Sequence, residues 1–482
     1  MKLIQKRISI LVVLAFCLNP SFGQQYQAVH GSNFAGSLGI MNNPASALSS
    51  PLPWDITLLG LQLKNSTNFF YIEKYDPSGK DPQLAAWIQN GENKRRLNTQ
   101  FNMNLLNTRI RTSNRSAISF GMNIRSASLG GSSTYNFIDT ILLPNTFLKV
   151  NMNNQPLDAF VRSSTWAEAY GSLALNLADK KHFIWNAGAT IKSNMGLAGI
   201  HASITNGQFK EYVRPVNNLY EVTTAELNHG YSANLDFWDP AASTKSNLKR
   251  YRSQSIGGTS VDLGMEWIIK DQRNIELFNN KSQYSYTWKF GLSMLDLGYA
   301  HYKYGLESVK TSGVKPNING IVLARKFDST ITGLDVLNDS IQTAVGQFTT
   351  LAGEFRMSHP TRIVFNVDRQ ITDLIYINAE LSIPIQALPE AKYMQTKDLN
   401  LLTITPRRET QKYGVYLPLS ITRDGSFWIG AAVKAGPVLF GFHRVPIGTK
   451  TSYQNGGAYL AYTISPSEKL RKPKAKIIEC PK

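Results

Sequence analysis

The sequence predicts an all-β fold, an antiparallel transmembrane β-barrel of about 14 strands within a range of about 12 to 16. Three observations lead to this fold: an export signal at the N-terminus, no apolar stretch long enough for a membrane helix, and segments in which apolar residues occupy alternate positions. A transmembrane strand needs about 9–11 residues, and its lipid-facing side chains occur at every second position. The combination is typical of an exported barrel.

The first 23 residues have the three parts of a secretory signal peptide. A positive start with Lys2, Lys6 and Arg7 is followed by a mainly apolar run over 8–18 and by small residues at the ends of the stretch 21–23. This apolar run is too short for a helix that crosses a bilayer, which takes about 20 residues. The sequence therefore predicts export and cleavage before residue 24.

The composition of the chain excludes a helical membrane protein. No stretch after residue 23 approaches 18 uninterrupted apolar residues, and the mean hydropathy is −0.22. The chain nevertheless contains 8 Trp, 21 Tyr and 22 Phe residues. A large secreted β-protein could have the same composition, so composition alone leaves a barrel and a soluble β-sandwich both open.

Cysteine usage and charge limit the classes of protein and partner. Cys17 would be the acylated residue of a lipoprotein, but the large Phe16 before it disfavours that processing. Only Cys480 remains after cleavage, so an intramolecular disulfide is excluded. The net charge of +18 falls to +15 when the three cations of the signal peptide are removed. We expect this charge to favour outer-membrane lipid and lipopolysaccharide as partners, and we expect no nucleic-acid partner.

Alternating segments are the direct indication of strands. Six of them are clear: 116–124, 183–192, 260–269, 373–385, 413–421 and 458–464. Their second face mixes single charges with Gly, Ser, Thr and Asn, as a hydrated or tightly filled lumen requires, although a soluble sandwich also alternates with its apolar face turned inward. The apolar set changes parity within 101–110 and within 288–299, which predicts one β-bulge in each segment.

The connections predict the arrangement of the barrel in the membrane. Short polar turns at 179–182, 369–373 and 422–425 alternate with long segments at 67–99, 128–164, 203–255, 301–360 and 387–400. Short periplasmic turns and long external loops are typical of outer-membrane barrels. The stretch 203–236 predicts a hairpin that extends beyond the membrane, and 337–348 a short helix. The last strand would carry the signal that the barrel assembly machinery reads.

These patterns divide the chain into four parts. We expect a signal peptide at 1–23, a plug-like N-terminal segment at 24–53, the barrel at 54–465 and a basic periplasmic tail at 466–482.

Several motifs resemble those of a known group of barrels. Asn43, Pro44 and Ala45 lie in a glycine-rich stretch just before the first strand, and Asp-Leu-Gly occurs at 262–264 and again at 296–298. With these motifs and the stretches 416–420 and 435–438, the chain resembles a family of outer-membrane barrels of unknown function from Bacteroidota, distantly similar to the FadL/PorV barrels. The resemblance implies an outer-membrane location, a FadL-like barrel and an N-terminal segment inside it. It implies no activity, since FadL-type relatives move long-chain fatty acids or other hydrophobic compounds and PorV-type relatives are partners of the type IX secretion system.

Charged residues on the polar faces of the strands are the candidate site residues. The candidate lumen charges are Asp262, Glu266, Asp296, Glu380, Lys192, Arg125 and Lys289. They could form a charged pathway or orient a ligand, but a salt-bridged interior that fills the lumen is the favoured interpretation. The glycines of the two Asp-Leu-Gly motifs give room for a plug or a crossing aromatic side chain.

The motif search gives no indication of chemistry. The sequence contains no Gly-x-Ser-x-Gly elbow, no nucleotide-binding loop and no paired histidines, so we expect no enzyme, no cofactor and no metal site. The leading hypothesis is passive transport of a small or hydrophobic molecule. The alternative is a non-transporting protein: a scaffold or partner of secretion or gliding machinery, with a secretion-system or periplasmic partner, or a surface adhesion protein. An apolar lumen pocket joined to the lipid would favour transport, and a lumen packed by residues 24–50 and salt bridges would favour the scaffold.

Overall fold

A computed structural model describes residues 26–73, 85–138, 143–214, 218–239, 241–270, 286–423, 425–445 and 452–466. The predicted signal peptide, the basic tail from residue 467 and Cys480 lie outside the described residues. No helix in the described part of the chain combines the length and the apolarity that a membrane span requires.

A closed antiparallel barrel of 14 strands forms the body of the protein, as the sequence predicts. The strands are β1 (Trp54–Thr67), β2 (Gly91–Ser113), β3 (Ser116–Phe137), β4 (Leu157–Asp179), β5 (Phe183–Tyr212), β6 (Gly257–Lys270), β7 (Tyr286–Lys303), β8 (Arg362–Gln370), β9 (Ile375–Pro384), β10 (Leu401–Glu409), β11 (Tyr413–Tyr416 and Leu419–Thr422), β12 (Phe427–Ile429 and Ala431–Ala435), β13 (Val438–Phe442) and β14 (Ala458–Ile464). Each strand pairs with the next, and β14 pairs with β1 to close the barrel.

The remaining elements lie in the N-terminal segment and in the connections between the barrel strands. The other strands are Phe70–Glu73, Ala85–Ile88, Leu219–Tyr231, Val309–Val314, Val345–Thr350, Glu354–Ser358, Met394–Gln395 and Ser452–Tyr453. The α-helices are α1 (Ser37–Ile40), α2 (Pro144–Val150), α3 (Thr244–Ser253), α4 (Gly320–Lys326) and α5 (Leu334–Ala344), and 3-10 helices occupy Gln27–Val29, Pro44–Leu48 and Ala233–Phe237.

The alternation of apolar and polar residues corresponds to the two faces of the barrel wall. In β9, Ile375 and Ile377 are exposed on the outside, whereas Tyr376, Asn378 and Glu380 are buried inside. Apolar side chains on the outside and polar ones on the inside are the reverse of a soluble sandwich. The outer faces therefore form an apolar belt around the barrel.

Both predicted bulges are confirmed. The register between β2 and β3 shifts between Leu105 and Thr108, and the register between β6 and β7 shifts between Met294 and Leu297. Leu106 and Asp296 take positive φ angles of 53° and 60° at these points. The extra residue in each strand restores the inward and outward faces after the change of parity.

The connections at the two ends of the barrel differ in length. The turns after β2, β4, β8, β10 and β12 are short, and the long connections 68–90, 138–156, 213–256, 304–361 and 385–400 follow odd-numbered strands. The sequence-based assignment of 422–425 to the short-turn end is wrong, because this turn follows β11 and so lies at the long-loop end. The matching turn at the short end is Gly436-Pro437, where Gly436 has φ 58°.

Strand β5 extends beyond the barrel, as predicted for 203–236. Its first half pairs with β6 up to Met195 and Gly257, and its second half pairs with Leu219–Tyr231. Val309–Val314 and Val345–Thr350 extend this outer sheet. The helix predicted at 337–348 was placed too late: α5 ends at Ala344, because the following residues pair as a strand.

Candidate functional site

The N-terminal segment 26–53, hereafter the plug, lies inside the barrel. Tyr26, Val29 and Leu38 are fully or almost fully buried and pack against inward-facing residues such as Tyr416 and Tyr459. Further along the plug, Ile40, Ala47 and Leu48 form a second apolar cluster with Ala117 and Ala174. The inward-facing alanines of the wall are thus covered by apolar side chains of the plug.

The Asn-Pro-Ala motif fits a slot made by glycines of the wall. The Asn43 side chain accepts a hydrogen bond from the Ala45 amide at 3.0 Å and donates one to the carbonyl of Met265 at 2.9 Å. Gly188 and Gly264 lie directly opposite each other on β5 and β6. A Cβ on Gly188 would lie 2.5 Å from the Ala45 nitrogen, and a Cβ on Gly264 would lie 2.1 Å from Asn43 Oδ1. The motif therefore closes the plug onto the wall where only glycine fits.

Four of the seven candidate charges meet in one buried cluster. Asp296 accepts hydrogen bonds from both terminal nitrogens of Arg125, at 2.5 and 2.9 Å, and from Lys192 at 2.7 Å. Lys192 also lies 2.7 Å from Asp262. These side chains come from β3, β5, β6 and β7, so the cluster joins β3 to the neighbouring strands β5–β7 through the interior.

The other three candidate charges hold the plug. Each one bonds to a plug side chain: Glu266 to Ser49 at 2.5 Å, Glu380 to His30 at 2.9 Å, and Lys289 to Asn33 at 2.8 Å. All seven candidates are thus buried in the interior, in one cluster and in three separate contacts with the plug.

The sequence search missed several buried charges of equal weight. Arg362 donates a hydrogen bond to Asp296 at 2.8 Å. Arg407 donates two hydrogen bonds to Asp368, at 2.6 and 2.8 Å. The missed charges that complete the interior are Lys64, Asp398, Glu168, Arg109, Asp55 and Glu409. Arg362, Asp368, Arg407 and Glu409 sit at inward positions of strands whose apolar faces are short, so a stripe search over longer windows passes over them.

The outer end of the interior is closed by an aromatic layer. Trp166, Tyr302, Phe355 and Met357 form one buried cluster, with the Tyr302 and Phe355 rings stacked at 5.2 Å. Two cavities that the plug helps to line measure about 40 and 20 Å³, which is room for one or a few water molecules. In the part of the chain that the structure describes, the lumen is filled by the plug, the ion pairs and this layer. No group of three or more metal-ligating side chains occurs among these same residues.

A separate apolar groove lies on the outside of the wall. On β3 and β4 the apolar belt ends at Ile124 and Ala167, which pair with each other. The next outward positions carry a Ser126–Thr165 and a Ser128–Ser163 hydrogen bond, at 2.9 and 2.8 Å. Beyond these polar rows the outer face becomes apolar again, and this second apolar area lies outside the belt.

Helix α5 covers the second apolar area. Val161, Ala202 and Ile204 line the wall side of the groove, and the helix contributes Leu334, Leu337 and Ile341, which lie on one of its faces. The volume of this half-open groove is about 840 Å³.

Two polar contacts hold the helix over the groove. His229 donates a hydrogen bond to Asn338 at 2.8 Å, and Asn338 donates one to Glu307 at 2.8 Å. The groove is therefore a built, mainly apolar site rather than a gap between loose loops.

Several solved structures are similar to this chain. They include a toluene transporter, TbuX, of Ralstonia pickettii (12% identity, 90% of this chain and 94% of that chain, TM-score 0.40), a toluene transporter, TodX, of P. putida (10% identity, 89% and 94%, TM-score 0.40) and a FadL homologue of Pseudomonas aeruginosa (10% identity, 92% and 99%, TM-score 0.39). At these identities and TM-scores the likenesses carry no argument about this chain. No curated protein matches the chain. The sequence profile of a family of unknown function, DUF5723, matches residues 44–443, and the chain belongs to that family.

Proposed function

We propose that this protein is an integral outer-membrane barrel that captures small hydrophobic molecules in its external groove and admits them passively. The observation that carries the proposal is the groove of about 840 Å³ between α5 and the wall. Sites for small molecules commonly measure about 300–1,000 Å³ and are lined mainly by apolar side chains. Apolar side chains that line a groove are costly to leave in water, and a hydrophobic ligand would cover them.

The membrane location rests on the wall and on the export signal. Outward-facing residues such as Phe120, Met122 and Trp267 are exposed in a chain whose inward faces are polar. Such a surface is stable when lipid surrounds it. The groove begins just beyond the Ser/Thr rows that end the belt, so a bound molecule lies next to the outer lipid leaflet.

The filled interior limits the route of passage. The plug and the buried ion pairs occupy the interior, and the two cavities that the plug helps to line are water-sized. A molecule that leaves the groove therefore enters the adjoining lipid directly, or it crosses the barrel only after the plug has moved.

A second candidate function follows from the same filling. A lumen packed by the plug and by ion pairs is what we expect of a non-transporting scaffold that serves secretion or gliding machinery. In that case the groove would hold a structural lipid and the protein would show no transport.

Filling the groove tests the first proposal. In lipid nanodiscs we expect Ala202→Trp to weaken binding of a fluorescent hydrophobic probe about 10-fold or more, because the indole occupies the groove. Ala189→Trp is the matched control, since Ala189 faces outward from the same strand within the belt. Equal probe affinity in both variants would contradict a binding role for the groove.

Uptake separates the two candidate functions. Proteoliposomes with the wild-type protein should take up the probe faster than liposomes with Ala202→Trp. Uptake at the rate of empty liposomes by both proteins, together with capture of secretion-system components in a pull-down, would favour the scaffold.

A further inference from the structure

A basic and apolar patch covers the outer wall where β5 loses its partner β6. Helix α3 and the 3-10 helix Ala233–Phe237 form this patch. The Tyr251 hydroxyl donates to the carbonyl of Leu197, and the Asn234 amide donates to the carbonyl of Tyr251 at 2.8 Å. The first of these part-buried hydrogen bonds ties α3 to the wall, and the second ties the 3-10 helix to α3.

The contact with Leu197 fixes the position of the patch relative to the apolar belt of the barrel. The last pair between β5 and β6 is Met195 with Gly257, and on the neighbouring strand Ala167 pairs with Met195 at the end of the apolar belt. Tyr251 therefore anchors α3 to the wall at the outer boundary of the belt. A helix at this height lies in the plane of the lipid headgroups.

The outer face of the patch has two kinds of side chain. Leu235, Phe237, Trp238 and Leu248 are exposed, with 49% of Trp238 and 57% of Leu248 accessible. The exposed cations of the patch are Lys245, Lys249, Arg250 and Arg252. Exposed apolar residues beside clustered cations are typical of a surface that rests on an anionic membrane.

Local carboxylates neutralise only part of this charge. Arg250 lies 3.7 Å from Asp239, and Asp236 already accepts a hydrogen bond from the Tyr231 hydroxyl at 2.6 Å. Among the side chains that the structure describes, no carboxylate lies within 4.0 Å of the Lys245, Lys249 or Arg252 cations. Three cations of α3 are therefore available to an anion outside the protein.

We propose that this patch binds the phosphorylated headgroups of glycolipids in the outer leaflet. The cations of α3 contact the phosphates, and Phe237, Trp238 and Leu248 contact the acyl chains below them. The assignment rests on the membrane location proposed above, but it does not depend on the groove or on transport.

Binding of lipid A to the full mature protein tests the proposal. We compare the wild type with the variant Lys245→Gln, Lys249→Gln, Arg252→Gln by native mass spectrometry in detergent. We expect the apparent affinity for bisphosphorylated lipid A to fall about 100-fold, which corresponds to the loss of three headgroup contacts. The matched control is Arg115→Gln, Lys180→Gln, Lys181→Gln, which removes three exposed cations at the opposite rim and should leave the affinity unchanged.

Further measurements distinguish binding of a lipid from binding of a free anion. Dephosphorylated lipid A should bind the wild type as weakly as bisphosphorylated lipid A binds the glutamine variant. Inorganic phosphate at the same concentration should not compete, and Trp238→Ala with Phe237→Ala should weaken lipid A binding while leaving all cations in place. Equal losses in the two triple variants, or displacement by inorganic phosphate, would overturn the proposal.

Binding of the hydrophobic probe to the groove is measured on the same protein preparations. Probe binding sensitive to Ala202→Trp but unchanged in the α3 variant shows that the barrel is intact. A failure of lipid A recognition then counts against this patch alone, and a failure of probe binding counts against the proposed function alone.

Discussion

Asp296 is the residue on which the interior charge cluster depends. It lies at a β-bulge with φ 60°, and its carboxylate meets Arg125, Lys192 and Arg362 within 2.8 Å each. A carboxylate that compensates three buried cations contributes far more than a surface ion pair, because the cations cannot be rehydrated when it is removed. The bulge is what turns the carboxylate towards all three.

Removal of the Asp296 charge should destabilise the barrel strongly. We expect Asp296→Asn, which keeps the shape and tolerates the positive φ, to lower the free energy of unfolding in urea by about 3–5 kcal/mol. The control is Asp179→Asn, which breaks a half-exposed pair with Lys270 and should cost less than about 1 kcal/mol. Similar losses in the two variants would show that the cluster does not hold the interior together.

His201 gives the external part of the barrel a defined response to pH. It lies above the belt among Phe355 and Tyr304, and burial, followed by the nearby charges of His229 and Arg162, lowers the pKa of its ring to about 4 from the usual 6.5. Below pH 6.5 the unfolded chain therefore binds a proton that the folded chain does not bind until about pH 4. The stability supplied by neutral His201 is complete above pH 6.5 and is lost as the pH falls towards 4.

A neutral ring at position 201 should remove part of this pH dependence. The gap between 6.5 and about 4 corresponds to about 3 kcal/mol, so His201→Phe should lose less stability than the wild type between pH 7 and pH 4.5. Urea unfolding at the two pH values measures the difference. His182→Gln, at an exposed turn, is the control, and an unchanged pH slope in His201→Phe would disprove the assignment.

The plug is the element that decides whether the barrel can open. Its backbone meets the wall directly at the Asn-Pro-Ala turn, where the carbonyl of Pro44 and the amide of Ala45 approach Gly188 without an intervening side chain. A methyl group added at this glycine would clash with backbone atoms of the plug. A side chain could change rotamer to relieve such a clash, but backbone cannot.

A single methyl group should therefore loosen the plug. We expect Gly188→Ala to lower the stability by about 1–3 kcal/mol and to raise both the ion conductance in planar bilayers and the protease cleavage of the plug. Gly171→Ala is the matched control, since a Cβ there has no heavy atom within 4 Å. A conductance that stays at the wild-type level in Gly188→Ala would indicate that the plug is held elsewhere.

At the scale of the whole molecule, the sequence predicted the architecture better than the site. The period of two, the bulges and the strand number are local or additive properties, and all appear in the structure. The position of the 422–425 turn was missed because the side of a turn depends on counting every strand before it, including β11, which is interrupted between Tyr416 and Leu419. The groove was missed because it forms between β3–β5 and α5, which are far apart in the chain and share no motif.

The partners of the interior charges were predictable only in part. Arg125, Lys192, Asp262 and Asp296 stood out because they are charged residues on the polar faces of long strands. Arg362 and Asp398 join the same region from a short strand and from a loop, where a charged residue is unremarkable in the sequence. Which cation meets which carboxylate depends on the curvature of the closed wall, which no local pattern contains.

The plug also bears on how the barrel is completed during assembly. Tyr26 bonds to Gln62 on the first strand, and its ring meets Tyr459 on the last strand at 6.0 Å. Ser37 reaches Thr57, which in turn bonds to Thr463 across the same junction, at 2.8 Å in each step. The plug thus bridges the seam between the first and the last strand of the barrel. Closure of the wall and docking of the plug are therefore one coupled event, and the barrel cannot gain its full set of contacts before β14 has been made and placed beside β1.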